Sequence, residues 1–383
     1  MLLSKGKLIA FVSNSAWSVY NFRLDVIRKL IEDGYSILVI ATTDDYTPLL
    51  KQAGCRFVHV EFNNRTNNPI GDFVFYLKLK RIYAHFRPDF IFHFVTKPNI
   101  YGSLAAAALY IPSVAVITGL GYAFAKKNWL NRLVIRLYRR ALNNVRETWF
   151  LNAEDAMQFL QSQIINDNSY KILPGEGVNT ERFKAGVEQR SPAQAGVFRF
   201  LMSTRLLKSK GIPVYADAAR LLKKKGYVIH CRLIGFFEKQ HPDSLTTTDL
   251  QQWEKEGLIT YEGFAKDVRP YLDTSDCVVF PSAYNEGVPR CLMEAASMEL
   301  PVITTMSTGC KEVLVSEVTG FFCNVNDAKD LAAQMEKMIS LPEPARKEMG
   351  KKARQLVTGK FEISLIVGEY RRVLNEAFKN AAP

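Results

Sequence analysis

The sequence lacks the patterns that mark most metal-binding and disulfide-rich proteins. Its six cysteines form no C-x-x-C pair and lie mostly inside apolar runs, and its five histidines form neither an H-x-x-x-H motif nor a Cys/His cluster. No D-x-D pair is present either. Such patterns supply disulfide frameworks and metal ligands. We therefore expect buried thiols in a reducing compartment and neither a metal ion nor another cofactor held by the protein.

Long apolar runs are missing as well. No uncharged stretch reaches the roughly 18 apolar residues that a membrane-spanning helix needs. The longest candidate, residues 100–125, is interrupted by Pro112 and by glycines. The opening residues 1–15 contain only a short apolar run that continues as a predicted strand, unlike a signal peptide. The sequence therefore predicts a soluble or peripheral protein.

Acidic residues are scarce in the first part of the chain. The net charge is +12, and residues 1–150 contain 20 Lys and Arg against 9 Asp and Glu, whereas the remaining residues contain 30 against 29. The excess of positive charge therefore belongs to the N-terminal part alone. This part is expected to meet an anionic partner.

Apolar runs typical of buried parallel strands alternate with helical patterns along the whole chain. The runs are LIAFVS, SILVIA, FVHVEF, FIFHFV, SVAVIT and TWFLN, followed by FRFLMST, IHCRLIG, LITYEG, CVVFPS and PVITT. Two successive series of this kind in 383 residues predict an α/β protein with two doubly wound parallel-sheet domains. We place the N-terminal domain at 1–188, a linker at 189–197, the C-terminal domain at 198–365, and at 366–383 a helix that packs back toward the N-terminal domain.

The segment NEGVPRCLMEAASM follows one of the predicted strands and contains two carboxylates. Pro289 fits the first position of a helix, so the amides of Gly287 and Val288 lie at a helix start that suits an anion such as a diphosphate. Glu286 belongs to the loop and Glu294 to the helix. Two glutamates at this separation are common in helix-rich proteins, so the pair alone does not establish a site.

A second candidate element is FRFLMSTRLLKSKGIPV. It ends a predicted strand with Arg205 and places Lys210 in the loop before the next helix. Two cations at one sheet edge can bind the same diphosphate. Considered separately, each of them is also consistent with a solvated loop charge.

The ordered set of R-x4-K-G, GF-x-x-D and E-x7-E, followed by ELPVITTMSTGCKEVL, resembles the retaining glycosyltransferases of family 4 over nearly the whole chain. The resemblance implies the GT-B fold, in which two Rossmann-like domains face a central cleft, and a UDP-sugar donor used without a metal ion. It also implies donor-side roles: Arg205 and Lys210 on the diphosphate and Glu294 on the ribose. In that pattern Glu286 and the backbone of Gly287, Val288 and Pro289 face the donor sugar and phosphates. Phe264 lies near the uracil.

The N-terminal half resembles a narrower group, whose members add a sugar to a polyprenyl-diphosphate-linked sugar in bacterial glycan assembly. The segments concerned begin with SNSAWSVYNFRLDVIRKL and include VEFNNRTNNP, FVTKPNIYGSLAA and ITGLGYAF. Residues that follow the first, fourth and fifth strands could then line the acceptor side. They are Asn14, Ser15 and Arg23 after the first strand, Lys97 and Asn99 after the fourth, and Thr118, Gly119, Leu120 and Gly121 after the fifth. An exposed helix-start charge at Arg23 and a surface lysine at Lys97 are the alternatives.

Two departures from the family pattern concern the N-terminal half. SNSAWS lacks the Gly-Gly pair that many relatives have after the first strand. The H-x-H-x-P arrangement after the fourth strand is reduced to His93, which lies inside an apolar run and fits a core histidine better than a catalytic one.

The segment KKNWLNRLVIRLYRRALNNVR, residues 126–146, predicts a basic amphipathic helix. We expect Leu130, Leu133, Val134, Leu137 and Ala141 on one face, with arginines on another. Such a helix can rest on an anionic membrane surface. The alternative is an ordinary surface helix whose apolar stripe faces the core. A polyprenyl-linked acceptor, which lies in the bilayer, favours the membrane, so we expect a cytoplasmic protein that is peripheral on the inner face of the cytoplasmic membrane and binds its anionic surface through this helix.

The sequence therefore predicts a retaining glycosyltransferase that moves a hexose or N-acetylhexosamine from a UDP-sugar to a polyprenyl-diphosphate-linked sugar during assembly of a bacterial surface glycan. A nicotinamide dehydrogenase is disfavoured, since SNSAWS stands where a G-x-G-x-x-G loop would follow the first strand. Two alternatives stay open. One is a nucleotide-sugar epimerase or hydrolase of the same fold, and the other is a non-enzymatic protein that binds lipid or nucleic acid through its basic surface.

Overall fold

The computed structural model describes residues 6–61, 69–120, 129–166, 169–186, 196–238, 241–284 and 286–379, without the side chains of residues 129–131. The predicted linker lies almost wholly outside the described residues, as do Gly121 and residues 126–128 of the basic helix. The described chain forms two compact units. The first ends at Glu176 and resumes at Ile363, and the second extends from Gly177 to Glu362.

This division differs from the expected domain boundary at residue 188. Residues 177–186 belong to the second unit because the Val178 amide donates a hydrogen bond to the Phe361 carbonyl at 2.9 Å. The side chains of Val178 and Phe183 are also buried in the core of that unit. The polar, proline-containing composition of residues 189–197 therefore does not mark the point where the chain passes between the units.

The first unit contains a seven-stranded parallel sheet in the order β3-β2-β1-β4-β5-β6-β7. Its elements are β1 (Leu8–Ser15), α1 (Ala16–Glu32), β2 (Ser36–Thr42), α2 (Thr47–Gln52), β3 (Arg56–His59), α3 (Pro69–Phe86), β4 (Phe90–Phe94), α4 (Ser103–Ala107), β5 (Ser113–Ile117), α5 (Trp129–Leu142), β6 (Glu147–Phe150), α6 (Ala153–Gln161), β7 (Tyr170–Ile172) and α13 (Ile363–Lys379).

Strand β1 shows why these segments read as unbroken apolar runs. Ile9 and Phe11 pack into the core on one side of the sheet, and Ala10 and Val12 pack into the core on the other side. Because successive side chains of a strand point to opposite faces, a strand covered on both faces is apolar at most positions.

Helix α13 packs into the core of the first unit, although it follows the second unit in sequence. Tyr370 is buried there, with its ring centroid 4.6 Å from that of Phe92 and 5.0 Å from that of Trp149. The helix begins at Ile363, since Glu362 has an extended backbone that ends the preceding helix. The expected return of the C-terminal helix to the N-terminal domain is thus present in the fold.

The second unit contains a six-stranded parallel sheet in the order β10-β9-β8-β11-β12-β13. Its elements are β8 (Phe198–Ser203), α7 (Ile212–Lys224), β9 (Ile229–Ile234), α8 (Thr247–Lys255), β10 (Thr260–Tyr261), α9 (Arg269–Asp273), β11 (Cys277–Phe280), α10 (Arg290–Ser297), β12 (Val302–Thr305), β13 (Gly320–Cys323), α11 (Ala328–Ser340) and α12 (Glu343–Phe361).

The expected α/β class and the two doubly wound parallel sheets are confirmed. All eleven apolar runs contain strands, and the structure adds β7 and β13, which are three and four residues long and lie at sheet edges. In both sheets the strand order reverses next to the first strand of the series, between β1 and β4 and between β8 and β11. Ligands of such folds bind beyond the carboxyl ends of the strands at this point.

Helix α5 packs as an amphipathic helix of the first unit. Tyr138, Ala141 and Leu142 are buried in a core to which Val134 and Leu137 also contribute. Leu133, expected on the same face, is exposed because the buried face is centred on Tyr138. Among the residues that the structure describes, no helix combines the length and apolar character needed to cross a bilayer.

Candidate active site

Lys210 and Glu286 meet at the carboxyl edge of the second sheet. Lys210 is only 5% exposed, and its ammonium group forms an ion pair with Glu286. The Ser282 hydroxyl donates to the same carboxylate oxygen, Oε1, at 2.8 Å. The Tyr284 ring lies 4.9 Å from Lys210 Nζ. A largely buried cation and carboxylate are thus held together by the loops that follow β8 and β11.

Two glycines allow these loops to approach each other closely. Gly211 has a φ of +83°, and a Cβ at this position would lie 2.1 Å from the Pro281 carbonyl oxygen. Gly309, in the loop after β12, has a φ of +80°, and its Cβ would lie 1.2 Å from the Gly287 carbonyl oxygen. Any larger residue would push the loops apart, so both glycines fix the position of the Lys210–Glu286 pair.

Arg205 follows β8 but does not join this pair directly. Its Nη1 donates to Glu238 Oε2 at 2.8 Å, and Glu238 belongs to the loop after the neighbouring strand β9. The arginine stays partly exposed at the sheet edge, where a surface ion pair stabilises little. It is therefore held in place by a contact that an anionic ligand can replace.

Glu294 lies in the second turn of α10 and is largely buried. Arg290, four residues earlier, donates from Nε to Glu294 Oε1 at 2.8 Å. Burial raises the pKa of Glu294, and the Arg290 guanidinium acts against this increase. Pro289 was expected at the first helical position, but it is the residue before the helix, because its ψ of 121° is extended.

Phe264 follows β10, the strand next to β9. Its side chain is about half exposed, and its ring packs edge to face on Phe236 with centroids 5.8 Å apart. An exposed aromatic ring supported from one side offers a surface on which a planar group can stack.

Four polar contacts of this region were not identified from the sequence: those of Ser282, Tyr284, Glu238 and Arg290. The pairing of Arg290 with Glu294 has a recognisable signal, because oppositely charged residues four apart on a helix are neighbours. Glu238 has no such signal, since its partner Arg205 lies 33 positions away. Which loops come into contact depends on the order of the strands in the sheet, and this order cannot be read directly from the sequence.

In the first unit, β1, β4 and β5 are adjacent, so the residues that follow them share one sheet edge. Asn14 and Ser15 end β1. The Ser15 hydroxyl accepts a hydrogen bond from the Ser18 amide at 3.1 Å and caps helix α1. Ser15 therefore has a structural function at the helix start.

Arg23 is neither an exposed charge at the start of a helix nor a side chain that a ligand can reach. It is 2% exposed, forms an ion pair with Glu176, and lies with its Cζ 4.3 Å from the centroid of the Phe94 ring. Both partners belong to the first unit. The guanidinium is therefore part of the interior of this unit.

Lys97 and Asn99 lie just after β4. Lys97 Nζ donates to Asp72 Oδ1 of α3 at 2.7 Å, and the hydroxyl of Tyr101 donates to the other oxygen of Asp72 at 2.9 Å. Asn99 is buried and donates from Nδ2 to the Val116 carbonyl oxygen at 2.9 Å. Lys97 thus stays near the surface in a defined position, whereas Asn99 joins β4 to β5.

The loop after β5 contains Thr118 and Gly119. Both are partly exposed, and Gly119 has a φ of +142° with open space where a Cβ would lie.

His93 is a core histidine, as predicted. It is fully buried, with Nε2 3.0 Å from the Tyr83 hydroxyl and Nδ1 3.2 Å from the Ser103 hydroxyl. Burial lowers its pKa to about 3, so it is neutral at physiological pH. Gly102 leaves room for the ring, because a Cβ there would lie 2.5 Å from His93 Cδ2.

Two parallel-sheet units, with the Lys210–Glu286 pair and Arg205 at the carboxyl edge of the second, are typical of GT-B glycosyltransferases. Family models agree: residues 8–151 match the model described as "Glycosyl transferase 4-like", and residues 187–356 match "Glycosyl transferases group 1". The chain is a glycosyltransferase of the GT-B fold, and the resemblance to family 4 seen in the sequence is confirmed.

Relatives with named activities share most of the length. An N,N'-diacetylbacillosaminyl-diphospho-undecaprenol alpha-1,3-N-acetylgalactosaminyltransferase of Campylobacter jejuni is 24% identical over 97% of this chain and 99% of its own. A UDP-Gal:alpha-D-GlcNAc-diphosphoundecaprenol alpha-1,3-galactosyltransferase of Escherichia coli is 23% identical over 62% of this chain and 63% of its own.

Solved structures share the fold. Anabaena HepE in complex with UDP and glucose superposes with a TM-score of 0.80 at 18% identity, covering 97% of this chain and 100% of its own. Sucrose-phosphate synthase from Thermosynechococcus elongatus gives a TM-score of 0.77 at 17% identity, covering 98% and 100%. Among the described residues, no group of three or more His, Cys, Asp and Glu is arranged to hold a metal ion.

Proposed function

We propose that this glycosyltransferase moves a hexose or N-acetylhexosamine from a UDP-sugar to a polyprenyl-diphosphate-linked sugar, with retention of anomeric configuration, during assembly of a bacterial surface glycan. The Campylobacter and Escherichia relatives act on sugars linked to undecaprenyl diphosphate, and HepE binds UDP. The observation that carries the proposal is the buried Lys210–Glu286 pair with Ser282, at the sheet edge where such folds bind ligands.

The donor's diphosphate would bind to Lys210, Arg205 and the amides of Gly287 and Val288 at the start of α10. An anion gains most from a cation that is already desolvated, and Lys210 is buried before any ligand arrives. Glu286, released in part from Lys210 by the incoming phosphate, would accept hydrogen bonds from hydroxyls of the donor sugar.

The nucleoside would occupy the neighbouring part of the same edge. Glu294, oriented by Arg290, would accept hydrogen bonds from the ribose hydroxyls. The exposed ring of Phe264 would stack near the uracil. Pro289 would contribute by fixing where the helix begins, so that the two preceding amides face the diphosphate.

In the proposed reaction, the bond between the sugar's anomeric carbon and the diphosphate breaks, and the acceptor hydroxyl forms a new bond on the same face. The departing phosphate oxygen takes the hydroxyl proton, so no side chain acts as a general base. Lys210 and Arg205 stabilise the charge that grows on the leaving diphosphate. Since these cations supply positive charge, we propose that transfer needs no metal ion.

The acceptor would bind the first unit at the shared edge of β1, β4 and β5. Asn14, Lys97, Thr118 and Gly119 would contact it, because their positions are at least partly accessible. The buried or capping residues Ser15, Arg23 and Asn99 would support this edge from within. This assignment narrows the set expected from the sequence.

We further propose that the enzyme binds the inner face of the cytoplasmic membrane as a peripheral protein. The positive charge of residues 1–150 favours an anionic surface, and Arg132, Arg136 and Arg140 of α5 are exposed. A polyprenyl-linked acceptor would be presented at such a surface.

A donor and acceptor screen tests the proposal. The full-length protein is incubated in EDTA with each of several UDP-sugars and a polyprenyl-diphosphate-linked monosaccharide, and the product is analysed by mass spectrometry and NMR. We expect transfer with one sugar and retained configuration. An inverted product would contradict the mechanism, and loss of activity in EDTA that Mg²⁺ restores would contradict the metal independence. Consumption of donor without acceptor would indicate an epimerase or hydrolase instead.

A further inference from the structure

Helix α3 of the first unit is apolar on two opposite sides. Its buried side, with Phe75, Leu79 and Tyr83, packs on the sheet. On the other side, four large apolar residues are exposed to solvent: Ile70 by 76%, Phe73 by 60%, Val74 by 43% and Leu77 by 37%. We call these four residues the outer face of α3.

The spacing of the outer face is that of one helical stripe. Positions i, i+3, i+4 and i+7 lie together on a helix, so the four side chains form one continuous apolar surface. Isolated exposed apolar residues are ordinary in soluble proteins, but a continuous apolar stripe is typical of an interaction surface.

Positive charge lies beside this stripe. Lys78 and Arg81 are exposed in the turns that follow Leu77. Asp72 is the one acidic residue in the sequence of α3, and it is held by Lys97 and Tyr101 on the side toward the loop after β4. The accessible side of α3 therefore combines an apolar first half with a basic second half.

We infer that the outer face of α3 docks on an anionic lipid bilayer. Phe73 and Leu77 would enter the boundary between headgroups and acyl chains, while Lys78 and Arg81 would lie among lipid phosphates. A second copy of the chain fits less well, since the outer face offers no acidic side chain to pair with Lys78 and Arg81 of the other copy. This inference rests on the proposed function in one respect: the bilayer is the place where a polyprenyl-linked acceptor is found.

The contact between α3 and Lys97 gives the inference a functional consequence. Asp72 lies one position before Phe73 and fixes Lys97 with a 2.7 Å hydrogen bond. A bilayer bound to the outer face would thus adjoin the helix that positions a proposed acceptor-binding lysine. The outer face of α3 and the residue that positions Lys97 would then belong to the same helix.

Helix α5 offers a weaker anchor in its described part. Arg132, Arg136 and Arg140 are exposed there, but Val134, Leu137 and Tyr138 pack against the core. Leu133 is the exposed large apolar side chain among residues 132–142. We therefore assign the apolar part of membrane binding to α3, and electrostatic attraction to residues 132–142 of α5.

Vesicle flotation with the full-length protein tests this assignment. The double variant Phe73→Gln/Leu77→Gln is compared with wild type on phosphatidylcholine vesicles containing about 30% phosphatidylglycerol. A matched control, Met157→Gln/Leu365→Gln, replaces two exposed apolar helical residues elsewhere in the first unit. We expect the α3 variant to bind at least about tenfold more weakly and the control to bind as wild type does. Thermal unfolding should be similar for all three proteins, because the replaced side chains are exposed.

A transfer assay separates anchoring from chemistry. With an acceptor embedded in vesicles, the α3 variant should lose most of its transfer rate. With a short-chain, water-soluble acceptor it should match wild type. Vesicle binding that is unchanged in the variant would overturn the inference, and so would a change confined to oligomeric state. If α3-dependent vesicle binding is found but no sugar is transferred to any acceptor, the proposed function fails and the docking surface stands.

Discussion

The residues that follow the strands make different kinds of contact in the two units. In the second unit, Lys210 and Glu286 come from loops 76 positions apart and meet in one buried ion pair. In the first unit, Ser15 caps a helix and Arg23 is buried against Glu176 and Phe94. At the edge of the second sheet, candidate residues from separate loops lie together. At the edge of the first sheet, the candidate residues make separate structural contacts.

This difference shows what a sequence pattern can locate. The donor-side residues form an ordered set with fixed spacings in the sequence, and the structure brings two of them into direct contact. The acceptor-side residues share mainly their position after strands. Residues at strand ends also cap helices and fill the space beneath loops, so position alone does not separate ligand contacts from structural ones.

The largest expected effect tests the structural function of Arg23. Arg23→Met would leave Glu176 largely buried without its charge partner, which should lower the free energy of unfolding by about 3–5 kcal/mol. Urea unfolding measures this change. Arg28→Met, an exposed position in the same helix, is the control.

A second variant keeps the Arg23 test decisive. Arg23→Met/Glu176→Gln removes both charges and should recover much of the lost stability. If Arg23→Met instead unfolds like wild type and raises the KM for the acceptor, Arg23 binds the acceptor and the contrast between the units is broken.

The next effect concerns the second unit. Lys210→Ala and Glu286→Ala should each lower turnover on the order of 10²-fold or more, since each removes a charged group from the proposed diphosphate and sugar site. Lys208→Ala, in the same turn but exposed, should retain wild-type turnover. Circular dichroism and thermal unfolding report whether each variant keeps its fold. Full turnover in a folded Lys210→Ala or Glu286→Ala protein would refute the assigned site.

The sequence predicted the fold well for a physical reason. Strands covered on both faces are mostly apolar, so β1, β4 and β8 could be recognised without knowing their neighbours. The edge strands β7 and β13 were missed: β7 is three residues long, contains Lys171 and has no fully buried side chain, and β13 begins with Gly320. Local motifs place Arg205, Lys210, Glu286 and Glu294 on or after the loops that follow strands. A contact between separate loops, such as that of Arg205 with Glu238, has no local signal in the sequence.

The smallest effect tests whether His93 belongs to the structural set. Its pKa of about 3 in the folded protein lies below the ordinary value of 6.5. Below pH 6.5 the unfolded chain therefore binds a proton that the folded chain does not, and stability falls as the pH decreases toward 3. This contribution changes by at most about 1.4 kcal/mol per pH unit. His93→Gln cannot titrate, so it should lose about 2 kcal/mol less than wild type between pH 7.5 and 5.

Urea unfolding at several pH values measures that difference, with the exposed His85→Gln as control. At pH 7.5, turnover of His93→Gln should stay near that of wild type, because the ring is sealed between Tyr83 and Ser103. A loss of turnover with unchanged pH dependence of stability would instead make His93 a functional residue. The first unit would then resemble the second, with a polar residue near the end of a strand acting in the reaction rather than in the core.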